Sequence, residues 1–93
     1  MEKLKELIEK TDFSVTIFIN DHRDYYETIE DNIKSGHLEG IDNDVLKKMI
    51  ELDTCVNIQV YPLSANTFFN VYHYDIDKAI DWALKEIKEY NKN

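Results

Sequence analysis

The sequence predicts a small α+β domain: two layers in the order α-β-α-α-β-β-α, with a three-stranded sheet, including a β-hairpin, packed by helices. Three observations carry this. Residues 13–19 alternate apolar and polar positions in a run of β-branched and aromatic side chains. Residues 54–74 hold five aromatic residues and no Asp, Glu, Lys or Arg, and two strand-like runs flank Pro62–Asn66 within them. Residues 76–87 repeat apolar side chains at helical spacing behind an aspartate. A chain of 93 residues suits one domain, residues 1–93, and not two.

The elements follow in order. Leu4, Leu7 and Ile8 form one narrow apolar stripe over residues 2–10, a short first helix that Thr11 and Asp12 interrupt. In the first strand Phe13, Val15, Ile17 and Ile19 share one face, against Ser14, Thr16 and Phe18. Asn20 and Asp21 end that strand and offer caps for a helix over 24–35, with Tyr25 or Tyr26, Ile29 and Ile33 inward. Gly36 terminates it, and GHLEGIDN forms a loop. Asp42 or Asn43 caps a helix over 44–52 that turns Val45, Leu46, Met49 and Ile50 inward. The hairpin pairs 55–61 with 67–74. Val56, Ile58 and Val60 share a face of its first strand. In its second strand Phe69, Val71 and His73 compete with Phe68, Tyr72 and Tyr74 for the inward position. Asp75 caps the last helix, whose stripe is Ile76, Ala79, Ile80, Ala83, Leu84 and Ile87, with Trp82 off its centre. The two-helix crossover lets the first strand join the hairpin parallel or antiparallel.

The charge of −8 is unevenly placed. Residues 20–53 carry ten acids and four bases, whereas 1–19 carry four and three, and 54–93 five and four. The single arginine, Arg23, stands among acids, so the chain lacks the clustered Lys and Arg that phosphate contacts need, and direct nucleic-acid binding is not expected. One cysteine cannot form an internal disulfide, no apolar run approaches the roughly 20 residues of a membrane span, and MEKLKELIEK does not read as a signal peptide. These features point to a cytoplasmic protein without a membrane partner.

Motifs for chemistry are sparse. His22–Asp24, His37–Glu39 and His73–Asp75 each place a histidine two positions before an acid, a spacing that can orient an imidazole or hold a metal. Nineteen acids in 93 residues produce such pairs by coincidence, and the Cys/His ligand set of a structural zinc site is absent. Cys55 has no glycine elbow, basic neighbour or helix start beside it, so it reads as a small buried hydrophobe rather than a nucleophile. His22-Arg23-Asp24 matches three letters of a kinase catalytic loop in a chain too short for that fold. No Gly-rich phosphate loop occurs. The sequence therefore predicts no catalytic, cofactor or metal site and no enzyme.

Two uses remain. In the first, Asp24, Glu27, Glu30, Asp31, Glu39, Asp42 and Asp44 form an acidic surface that imitates a phosphate backbone and occupies the basic site of a nucleic-acid-handling protein. In size, acidity and lack of motifs the chain resembles phage-encoded anti-defence proteins and bacteriocin immunity proteins, a likeness of composition that carries over no site residue. Its Asn, Lys, Ile, Asp and Tyr are what an AT-rich genome encodes. In the second, the chain is a homo-oligomeric structural or accessory subunit, a homodimer in its simplest form, that pairs through the uncharged hairpin 54–74, with Tyr61, Phe68, Tyr72 and Tyr74 at the interface.

Overall fold

A computed structural model of the chain describes residues 2–20, 26–36 and 40–92. The elements are α1 (Glu2–Ile8), β1 (Phe13–Ile19), α2 (Ile29–Lys34), α3 (Asn43–Leu52), β2 (Val56–Pro62), β3 (Phe69–His73) and α4 (Ile76–Asn91), the predicted order. The sheet is an antiparallel meander, β1-β2-β3, so the two-helix crossover returns the chain antiparallel to β1.

Register explains the core. β1 sets Val15 opposite Val60 and Ile17 opposite Ile58, while β3 sets Val71 opposite Ile58 and Phe69 opposite Val60. Because side chains alternate, Phe13, Val15, Ile17, Val56, Ile58, Val60, Phe69, Val71 and His73 share one face. This settles β3, where Phe69, Val71 and His73 take the inward position. Leu7 of α1 and Ala79, Ile80, Ala83 and Ile87 of α4 complete the cluster on that face. The edge-to-face pairs Phe69–Trp82 (6.1 Å) and Phe13–Tyr90 (5.7 Å) hold the middle and the C-terminal end of α4 against the sheet. Asp75 accepts from the N–H groups of Asp77 (2.9 Å) and Lys78 (3.3 Å), which is why α4 starts where its cap predicts.

A second, smaller core lies under α2 and α3. Ile29, Met49 and Cys55 are buried there, with Ile33, Ile41, Val45, Tyr72 and Tyr74 packed around them. Cys55, Tyr72 and Tyr74 alternate with Val56 and His73, so α2 and α3 sit on the opposite face of the sheet, at one end.

The start of α2 differs from the sequence expectation. The helix begins at Ile29 behind Thr28, whose hydroxyl accepts from the Asp31 N–H (3.1 Å). Tyr26 and Glu27 precede it, and residues 24 and 25 of the expected helix lie outside the described residues. Among the described residues Asn20 pairs with the sheet. At φ 54° it donates its N–H to Cys55 O (2.8 Å) and accepts the Cys55 N–H on Oδ1 (2.7 Å), closing the β1–β2 ladder. Asp42 occupies the N-cap of α3 without a side-chain capping bond. Asp53 ends α3 in the left-handed region (φ 49°), and its Oδ1 accepts the Ile29 N–H (3.0 Å), which ties the end of α3 to the start of α2.

Candidate functional site

The predicted acidic contacts that the structure describes lie at the starts of α2 and α3. Glu27 precedes α2, Glu30 and Asp31 lie in its first turn, Asp42 caps α3 and Asp44 lies in its first turn. All five are exposed. Carboxylates at these turns also complement the helix dipoles, so the local fold tolerates the charge. Glu30 is paired with Lys34 one turn on (3.0 Å). Asp24 and Glu39, the other two predicted contacts, lie outside the described residues, as do His22 and His37.

The hairpin aromatics do not form one surface. Tyr72 and Tyr74 turn toward Met49 and Cys55 in the smaller core. Tyr61 and Phe68 remain exposed and stack at 5.1 Å. Between these pairs runs a polar seam that residue types alone did not reveal. Asn57 donates to Asn70 Oδ1 (3.3 Å) and Val71 O (2.9 Å), Gln59 to Asn57 Oδ1 (3.1 Å), and Tyr61 to Gln59 Oε1 (3.1 Å). Neutral amides satisfy one another here, which is how the stretch does without charge. The available signal was that Asn57, Gln59 and Tyr61 fall at alternate positions, and so do Asn70 and Tyr72.

A groove of about 820 Å³ runs along the outer edge of β3. Ile41, Asp42 and Val45 line one wall, Tyr72 and His73 the other, and Trp82 the end. His73 Nδ1 accepts the Asp75 N–H (2.9 Å), so its proton sits on Nε2. The His73–Asp75 spacing therefore engages the aspartate backbone in a strand-to-helix turn. Burial, helped by the positive charge of Lys78 and opposed by Asp75, holds the imidazole below its ordinary pKa of 6.5. A depressed histidine favours folding above the unfolded pKa and loses that contribution as pH falls. Thermal stability should therefore drop between about pH 7 and pH 5, and His73→Gln should flatten the part of the drop that belongs to this residue. Equal slopes in thermal melts of the two proteins would show that His73 does not contribute.

Cys55 is buried, and burial pushes its thiol up to about 11. A nucleophilic cysteine needs the opposite shift, toward thiolate. Among the described residues no group of three or more His, Cys, Asp or Glu could hold a metal ion, and no helix is long and apolar enough to cross a membrane.

Comparison with protein-family models, with curated proteins and with solved structures returns no match.

Proposed function

We propose that this protein is a small binding or inhibitory module whose acidic α2–α3 surface docks on the basic site of a larger, nucleic-acid-handling protein. One observation carries the reading: Glu27, Glu30, Asp31, Asp42 and Asp44 are all exposed in or just before the first turns of two helices that share one small core. The Asp53–Ile29 bond ties the start of α2, with Glu27, Glu30 and Asp31, to the end of α3, and Asp42 and Asp44 stand at the other end of that helix. An array of like charge speeds encounter with an opposite surface and orients it. The phage or mobile-element setting, with anti-defence or immunity-like action, belongs to the same proposal and rests on composition.

Affinity capture from lysates of low-GC bacteria, washed at low and high salt, tests it. The expected result is one dominant nucleic-acid enzyme, lost as salt rises because screening weakens exposed charge pairing. The triple variant Glu27→Lys/Glu30→Lys/Asp31→Lys should keep its circular dichroism spectrum and bind that enzyme on the order of 100-fold more weakly. Unchanged affinity in the folded variant would overturn the proposal.

A further inference from the structure

We infer that this chain pairs with a second copy of itself through the free edge of β1, extending the sheet antiparallel across a twofold axis. The backbone phase comes first. The Leu63 N–H donates to Asp12 O (3.0 Å) and the Asn20 N–H to Cys55 O (2.8 Å). In the β1–β2 register these bonds turn the N–H and C=O of Ser14, Thr16 and Phe18 toward β2. Val15, Ile17 and Ile19 therefore turn theirs outward, where no hydrogen bond reaches them among the described residues. The seven residues of β1 include no charge, proline or glycine, the residue types that commonly blunt an edge.

The side chains fit the same pairing. A largely apolar groove of about 200 Å³ runs between α1 and β1, lined by Leu4, Leu7, Ile8, Phe13, Val15 and Ile17, with Lys10 beside them. Ile8 is 72% exposed and Ile19 60% exposed. In the register that sets Ile17 opposite its twin, Ile19 of the second copy lies opposite Val15, on the groove side of the sheet. Each copy then lays its exposed isoleucine along the other's groove. Such self-complementarity is what a twofold contact requires and what an unrelated peptide would lack.

Charge selects the same edge. Two copies at −8 each repel, and most of that charge lies in residues 20–53. β1 holds none, and in the α1 region Glu2, Glu6 and Glu9 are balanced by Lys3, Lys5 and Lys10. The opposite edge, β3, faces a groove whose wall includes Asp42 beside the acidic helices, an unfavourable place for a second acidic chain. Pairing through β1 is independent of the acidic surface and its partner.

The purified chain alone provides the test. Light scattering over a concentration series should rise from the 11.1 kDa monomer to twice that mass. The transition should move to lower concentration as salt rises, because screening reduces the repulsion between copies. Amide exchange at Val15, Ile17 and Ile19 should slow by about tenfold or more as the dimer fills, while Asn70 and Tyr72 stay unchanged. Ile8→Lys/Ile19→Lys alters only exposed side chains and should give a folded monomer at every concentration. A wild-type monomer at the highest concentration would overturn the inference. So would a dimer that survives the double substitution, or one whose new protection falls on Asn70 and Tyr72.

Discussion

Ile58→Ala is expected to lower stability by about 3 to 4 kcal/mol, enough to shift the melting temperature by roughly 15 °C in a domain of this size. Ile58 is 0% exposed and lies at the middle of the central strand. Ile17 flanks it on one side and Val71 on the other. The α4 residues Ile80 and Ala83, in the same cluster, are also fully buried. Truncation removes the transfer free energy of three carbons and leaves a cavity that neighbours on both strands cannot collapse into. Alanine also fits a pleated, packed surface less well than a β-branched residue. A chain of 93 residues has only about 5 to 14 kcal/mol of stability in total, so the loss is a large share. Leu63→Ala is the control, since that side chain is 67% exposed, lies outside the sheet face and the β1 edge, and should change stability by less than about 0.5 kcal/mol. Urea denaturation of the two variants measures the contrast. Equal losses would show that the sheet face is not the principal core.

The elements that the sequence made legible are those whose local chemistry is unambiguous. β1 matches residue for residue, because FSVTIFI alternates from Phe13 to Ile17 and is β-branched or aromatic at every position but Ser14, which favours a strand over a helix. α4 matches because Asp75 both breaks the strand and caps the helix. α2 did not, because its start is set by distant groups: the Asp53 carboxylate receives the Ile29 N–H across 24 positions of sequence. Asn20 looked like a helix cap and instead closes a ladder with Cys55, 35 positions away. The inward face of β3 was undecidable locally, since aromatic side chains occupy both faces, and only the register with β2 separates them. The same limit applies to function. Exposure of the α2–α3 carboxylates was readable from spacing, but the division of the hairpin aromatics between a stacked exposed pair and the smaller core was not. The free edge of β1 was also hidden, because strand order is a property of the whole sheet.

Asn32→Leu should raise stability by about 1 to 2 kcal/mol, an unusual direction for a substitution at a fully buried site. Asn32 is 0% exposed, and among the described residues neither its side-chain Nδ2 nor its Oδ1 has a hydrogen-bond partner. A buried amide without partners gives up its hydration and receives nothing in return, which costs about 1 to 3 kcal/mol. Leucine has a similar reach and no polar atoms, and it suits a helix better than asparagine by a few tenths of a kcal/mol. Asn32 lies three positions after Ile29, on the same face of α2, so the new side chain joins an apolar neighbourhood of buried Ile29 and Met49. The midpoint of urea denaturation should rise with its slope unchanged. A falling midpoint would mean that the amide is satisfied in solution and that its removal breaks a real bond. The stabilised variant also separates packing from binding. If it folds more firmly and still captures the basic partner through Glu27, Glu30 and Asp31, then Asn32 is a local imperfection of a short helix. If stability rises while capture is lost, the unpaired amide is retained at a cost to folding for the sake of the interaction, the usual trade between stability and function.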